Sequence, residues 1–170
     1  MPRFVVLLRG INVGRAKRVA MADLRALLAD AGYTDVRTVL NSGNAVVTGS
    51  DEPPADHAAR IEAAITERTG LDVRVVVLTA AQLHEVVVAN PFADVAEDGS
   101  RLMAHVHPEP PVAAEGPDPL AADPERARLV GRVLYQWCPD GLSAAPPVGF
   151  PGELVTTRNW NTITKLAALL

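Results

Sequence analysis

Cysteine is almost missing from this chain of 170 residues, since Cys138 is the only one. A single thiol excludes an internal disulfide framework and a cysteine-based zinc site. No uninterrupted apolar run approaches the ~18–20 residues that a membrane span requires, and the apolar part of residues 1–9 is too short for a signal peptide. Aromatic residues make up only 4% of the chain, whereas RNA-binding sheets display them. We therefore expect a cytoplasmic protein that binds neither membrane nor nucleic acid.

The common catalytic and cofactor motifs are also missing. No phosphate-binding P-loop, dinucleotide fingerprint, nucleophile elbow or His-Glu-x-x-His pair occurs in the sequence. His105 and His107 alternate along a predicted strand and point to one face, but two ligands are too few for a metal site. We predict no metal and no cofactor, and Cys138 is interpreted as a buried apolar thiol.

Charge is distributed unevenly along the chain. The net charge is −4, which argues against general affinity for anionic polymers or membranes. Residues 1–40 carry seven basic and three acidic side chains, residues 41–127 carry five and fifteen, and residues 128–170 carry four and two. If the two basic ends meet, they would frame an electropositive site on an acidic body. The alternative is coding bias, because fourteen arginines stand against two lysines.

Residues 1–78 predict a β-α-β-β-α-β unit. Apolar strands are predicted at 4–8, 36–40, 45–48 and 73–78, and helical spacing of apolar residues occurs at 21–31 and 58–65. Asn41-Ser42-Gly43-Asn44 separates two of the strands and is typical of a hairpin turn. This order is the split β-α-β, or ferredoxin-like, arrangement.

Residues 79–170 predict a second, less regular α/β subdomain. Thr79 is expected to cap a helix over 80–88, and strands are predicted at 102–107 and 131–138. The segment 108–124 contains six prolines and is interpreted as an exposed insertion. The last helix is expected to begin near Thr156-Thr157. The sequence therefore predicts an α+β fold class, with this second α/β subdomain packed on the ferredoxin-like first one.

Three separated blocks are rich in hydrogen-bond donors. The first follows the first strand, and its glycines would let backbone amides approach a ligand. The second is the hairpin turn, which turn chemistry alone also explains. The third opens the last helix, where a threonine cap and free amides would favour an anion, and where a polar stripe is expected through Arg158, Asn161, Thr162 and Lys165. The candidate ligand-binding residues are Arg9, Gly10, Asn12, Gly14, Asn41, Ser42, Gly43, Asn44, Arg158, Asn159, Asn161 and Thr162.

Taken together, the segments Leu8–Gly14, Asn41–Asn44 and Thr157–Thr162 resemble the signature blocks of a bacterial family known as domain of unknown function 1697. The resemblance spans essentially the whole chain, and Pro139–Ser143 resembles a lesser block. It implies an α+β fold of two ferredoxin-like subdomains and no established activity. This chain departs from the pattern at residues 146–152, where three prolines and two glycines replace an expected helix.

These features lead to one function and leave three alternatives open. The leading hypothesis is a protein that binds a small carboxylate or phosphate ligand in a polar cleft between the subdomains, with Arg158 as a two-point clamp. The first alternative is an enzyme of acyl or phosphoryl transfer at the same cleft, although no histidine or carboxylate lies in the blocks. The second is a protein-interaction module, and the third is a buried polar network that serves architecture alone. The oligomeric state stays open.

Overall fold

A computed structural model describes residues 1–112 and 118–170 of the chain. The fold is α+β, as predicted: within these residues lie four α-helices, one short 3-10 helix and two four-stranded antiparallel sheets. The chain divides into two compact units, Met1–His84 together with Lys165–Leu170, and Glu85–Thr164. This division places the last six residues with the first unit, whereas the sequence predicted a boundary after residue 78.

The first unit contains the β-α-β-β-α-β order that the sequence predicts. Its elements are β1 (Arg3–Leu8), α1 (Met21–Asp30), β2 (Thr34–Val39), β3 (Asn44–Thr48), α2 (Pro54–Thr69) and β4 (Val75–Thr79). The sheet order is β2-β3-β1-β4 with every pair antiparallel. Five consecutive residues of β1 are buried, because a central strand contacts neighbours on both faces and both edges. The ferredoxin-like assignment of this unit stays our interpretation of that order.

Local sequence signals explain where helix α2 ends and where the next helix begins. Gly70 closes α2 in the left-handed conformation, at φ 69°, and its amide donates to the Thr66 carbonyl at 2.8 Å. The next helix, α3 (Ala80–Val88), begins as predicted after Thr79. The Thr79 hydroxyl accepts from the Gln82 amide at 3.1 Å, while the Gln82 side chain accepts from the Thr79 amide at 2.9 Å. This reciprocal pair is a capping box.

The second unit repeats the strand order of the first. It contains β5 (Leu102–Val106), β6 (Ala127–Val130), β7 (Val133–Trp137) and β8 (Thr156–Asn159), ordered β6-β7-β5-β8. Within its described residues no α-helix connects β5 to β6 or β7 to β8. Between β5 and β6, the described residues 107–112 and 118–126 form neither helix nor strand and include five prolines, and a 3-10 helix at Leu142–Ala144 lies between β7 and β8. Residues 113–117 of the predicted proline-rich insertion lie outside the described residues. The remaining helix, α4, spans Trp160–Ala167.

In the second unit, one prediction is wrong and one strand was not predicted. The last helix does not begin near Thr156, because Thr156–Asn159 forms strand β8, which pairs with β5, and α4 begins only at Trp160. Threonines 156 and 157 are β-branched and pack well against a neighbouring strand. Strand β6 was not predicted, because two arginines and a glycine flank its short apolar pair Leu129-Val130. None of the helices in the described part of the chain is both long enough and apolar enough to span a bilayer.

Candidate functional site

The first predicted block forms the loop between β1 and α1, residues 9–20, which we call the first loop. Its backbone adopts left-handed φ angles at Gly10 (67°), Asn12 (55°), Gly14 (62°) and Lys17 (48°). Both glycines are exposed, and no atom lies within 4 Å of where a side chain would begin. The glycines therefore permit the turn, and they leave the loop's outer surface open.

Asn12 holds the first loop in shape. Its side-chain oxygen accepts from the Val19 amide at 2.9 Å, and its side-chain nitrogen donates to the Val19 carbonyl at 2.8 Å and to the Asn41 carbonyl at 2.6 Å. The bond to Asn41 connects the first loop to the hairpin turn. Two of the three predicted blocks are thus in contact within the first unit. The side chain that connects them, Asn12, uses its hydrogen bonds on backbone groups.

The hairpin block joins β2 to β3, as predicted. Asn44 is fully buried, and its side-chain nitrogen donates to the Val39 carbonyl and to the Ser42 hydroxyl, both at 2.9 Å. Gly43 has φ 80°, and a Cβ there would lie 2.7 Å from the Cβ of Leu8. The Gly43 carbonyl accepts from the Leu8 amide at 2.8 Å. Only Asn41 and Ser42 of this block are exposed.

The exposed surface of the first loop is cationic. Residues 9–18 carry Arg9, Arg15, Lys17 and Arg18 and no carboxylate, and all four side chains are exposed. The Lys17 ammonium donates to the Asp72 carbonyl at 2.6 Å. Among residues 1–112 and 118–170, the ion pairs are Arg60–Glu52, Arg68–Asp30 and Arg74–Glu62. None of these pairs includes a cation of the first loop.

The third predicted block belongs to the second unit, and it is built differently from the prediction. Arg158 lies on strand β8 and not on a helical stripe, is 8% exposed, and donates to the Thr156 hydroxyl and the Thr157 carbonyl, both at 2.8 Å. Burial lowers the pKa of this guanidinium to about 10. Thr162 is 4% exposed, so the predicted wet stripe is interrupted there as well.

Protein groups occupy the amides at the start of α4. Asn159, rather than a threonine, is the N-cap: its side-chain oxygen accepts from the Thr162 amide at 3.0 Å and from the Thr162 hydroxyl at 2.9 Å. The Gly99 carbonyl accepts from the amides of Trp160, at 2.9 Å, and Asn161, at 3.4 Å. Capping therefore explains why polar residues open this helix.

A polar chain that the sequence analysis missed lies on one face of the second sheet. The Thr157 hydroxyl lies 2.8 Å from His105 Nδ1, and His105 Nε2 lies 3.3 Å from the side-chain oxygen of Gln136. The Gln136 nitrogen donates to Asp123 at 3.0 Å and to the Pro146 carbonyl at 2.9 Å. Only tertiary pairing brings these residues together, so no local motif marks them.

Two side chains that the sequence offers for metal or thiol chemistry, His107 and Cys138, are buried among protein groups. His107 Nδ1 lies 3.1 Å from the Arg132 carbonyl, and its ring meets Phe150 edge-on at 5.6 Å. In the described part of the chain, no group of three or more histidine, cysteine or acidic side chains could hold a metal ion. Cys138 is buried, as expected, and burial raises the pKa of its thiol.

Comparisons with known proteins identify the fold and the family of this chain. The conserved bacterial protein SP0830 from Streptococcus pneumoniae superimposes with a TM-score of 0.69 and 24% sequence identity, covering 99% of this chain and 98% of that one. This likeness shows the fold. No curated protein matches the sequence. The family model described as "Protein of unknown function (DUF1697)" matches residues 1–135. The chain therefore belongs to the DUF1697 family.

Proposed function

We propose that this protein binds a small anionic ligand, a carboxylate or a phosphate, at the first loop and the adjoining hairpin turn. One observation carries the proposal: four exposed cations are concentrated within ten residues, and no carboxylate of the described residues forms an ion pair with them. A bound anion would supply the missing charge through charge-assisted hydrogen bonds, which are stronger than neutral ones.

The geometry of the loop supports this role because its shape does not depend on the ligand. Asn12 fixes the loop by three hydrogen bonds, and the Arg9 amide donates to the Arg74 carbonyl at 2.9 Å, which extends the pairing of β1 with β4 beyond Leu8. A preformed site loses less conformational entropy on binding than a mobile one. Backbone amides near exposed glycines add donors that a side chain would obstruct.

Eight of the twelve predicted residues, those of the first two blocks, take one of two roles in this proposal. Arg9, Gly10, Gly14, Asn41 and Ser42 lie on the exposed surface and are proposed to face the ligand. Asn12, Gly43 and Asn44 are proposed to hold the loop and the turn. The contacts of Asn159 and Thr162 favour the architectural alternative for the third block, so the ligand proposal does not use them.

The side chains of the first sheet argue against RNA binding as a competing function. Val5, Leu7, Val46, Val76 and Leu78 alternate with the helix-facing core residues, and each is 3% exposed or less. An RNA-binding sheet displays exposed aromatic side chains on such a face, whereas these residues are aliphatic and buried.

The test is a titration of the uniformly 15N-labelled full chain with inorganic phosphate and, separately, with citrate, at constant ionic strength. We expect saturable shifts of the Gly10 and Gly14 amide signals. An Arg9→Gln/Arg15→Gln variant should bind about 100-fold more weakly or worse, because it removes two charge-assisted hydrogen bonds of about 1.5–3 kcal/mol each. The matched control, Arg37→Gln/Arg126→Gln, removes the same charge elsewhere and should bind normally. Equal weakening by both variants, or no saturable shift, would contradict the proposal.

A further inference from the structure

We propose that the second unit carries an acyl-transfer site, in which Thr157 is the nucleophile, His105 is the general base and Gln136 is the residue that orients the base. The substrate class is an ester or another activated acyl compound. This site is independent of the anion site proposed for the first loop.

Two hydrogen bonds fix the orientation of the Gln136 side-chain amide. Its nitrogen donates to two acceptors, the Asp123 carboxylate at 3.0 Å and the Pro146 carbonyl at 2.9 Å. Both partners can only accept, so the nitrogen must lie on their side. The side-chain oxygen of Gln136 is consequently the atom that faces His105.

The orientation of Gln136 determines the tautomer of His105. An amide oxygen can only accept, so Nε2 of the imidazole must carry the proton that it donates across 3.3 Å. In the neutral ring, Nδ1 is then unprotonated, and it accepts from the Thr157 hydroxyl at 2.8 Å. In enzymes with an activated nucleophile, the nucleophilic hydroxyl donates to a base, and a third group orients that base. Thr157, His105 and Gln136 have this arrangement.

The surroundings of His105 favour its neutral form and leave the Thr157 hydroxyl partly exposed. Burial lowers the pKa of His105, and the charge of neighbouring His107 lowers it further, while the bond to Gln136 opposes both effects. The nearest carboxylate in the chain of hydrogen bonds, Asp123, bonds to Gln136 and not to the imidazole. Thr157 and His105 are only half-buried, and β8 is an edge strand of its sheet.

A second hydroxyl–imidazole pair in the chain shows what a structural version looks like. The Tyr33 hydroxyl lies 2.8 Å from His57 Nδ1, and His57 Nε2 lies 3.2 Å from the Ser50 carbonyl. His57 is 0% exposed and packs against Phe4, with ring centroids 4.2 Å apart and the rings tilted by 47°. No substrate can reach that pair, whereas the Thr157–His105 pair is approachable.

The proposed step conserves atoms and charge. Thr157 Oγ1 bonds to the acyl carbon while its proton passes to His105 Nδ1, and the tetrahedral intermediate then expels the alcohol oxygen, which takes that proton. The products are acyl-Thr157, free alcohol and neutral His105. Water, deprotonated by the same nitrogen, hydrolyses the acyl group to the carboxylic acid and restores the hydroxyl.

The experiment treats the full chain with p-nitrophenyl acetate and follows p-nitrophenolate release, intact mass and the acetylated peptide. We expect one acetyl group on Thr157. His105→Gln should slow acetylation about 100-fold or more, because general-base catalysis contributes 10²–10⁴-fold. Thr157→Val should abolish acetylation, and Thr157→Ser should retain it. The rate should rise with pH through one ionisation below the ordinary histidine pKa of about 6.5 and then level off.

Matched controls separate this site from nonspecific acylation. Thr164→Val and His84→Gln alter an exposed threonine and an exposed histidine, and both should react like the parent protein. Circular dichroism identifies any variant that fails to fold, and Thr157→Ser with His105→Gln decides the question if Thr157→Val does not fold. The proposal is overturned if folded parent protein gains no acetyl group on Thr157, if His105→Gln reacts equally fast, or if the rate climbs steadily with hydroxide.

Discussion

The side-chain nitrogen of Asn12 donates to the backbone carbonyl of Asn41 across 2.6 Å, and this bond joins the first loop to the β2–β3 hairpin. The two residues share a side-chain chemistry but have different roles. Asn12 is half-buried and makes three hydrogen bonds to backbone groups, whereas Asn41 is exposed and contributes its carbonyl to this bond. Substituting each in turn separates the architecture of the loop from ligand contact.

Asn12→Ala should lower the free energy of unfolding by about 2–3 kcal/mol, because it leaves the Val19 amide and two carbonyls without their side-chain partner. Asn41→Ala should change stability by less than about 0.5 kcal/mol, since it keeps the carbonyl. Urea unfolding of both variants measures the difference. Equal stability of the two variants would show that the Asn12 bonds do not hold the loop.

Gly43 and Gly14 both have left-handed backbone angles, but only Gly43 is also enclosed. Gly43→Ala should destabilise the protein by about 2–4 kcal/mol, since strain at φ 80° is added to a contact of 2.7 Å with Leu8 Cβ. Gly14→Ala should cost only the backbone strain, about 1 kcal/mol, because open space surrounds it. Thermal and urea unfolding test this order, and a larger loss for Gly14→Ala would contradict it.

His105 should make stability depend on pH in one direction. Its pKa is lower in the folded chain than in the unfolded chain, so below about pH 6.5 the unfolded chain binds more protons. The contribution of the neutral ring is therefore complete above that pH and declines as the pH falls toward the folded-state pKa.

His105→Gln should flatten the dependence of the unfolding free energy on pH between 7.5 and that lower limit, as urea unfolding at a series of pH values would measure. The exposed His84 on α3 provides the matched control, since His84→Gln should leave the slope unchanged. A parent protein whose stability rises on mild acidification would contradict the assigned direction.

The first unit could be predicted from sequence because its signals are local. Residues close in the chain determine three of its features: strand β1, the Asn41–Asn44 turn and the end of α2 at Gly70. The second unit was harder, since Thr156 and Thr157 resemble a helix start until their pairing with Val106 and His105 is known. Strand pairing is a long-range interaction, and it overrides local preference.

For the candidate sites, too, the sequence indicates some features and not others. Donor-rich blocks were visible in the sequence, but donors that cap a helix or fix a loop look identical there to donors that bind a ligand. Asn12 and Asn159 could be assigned only after their hydrogen-bond partners were known. The sequence alone does not reveal the hydrogen-bonded chain of Thr157, His105 and Gln136. Along the sequence, His105 lies 52 residues from Thr157 and 31 residues from Gln136.

The irregular connections of the second sheet have a further consequence for its hydrogen bonding. Segments 118–126 and 138–155 contact the face of the sheet that carries Gln136 and His107, and they include six prolines. Every proline removes one backbone N–H that would otherwise need a partner. Coil rich in this residue therefore has fewer amides to satisfy where it lines a sheet, and replacing these prolines with alanine would add backbone donors and enlarge the conformational freedom of the unfolded chain.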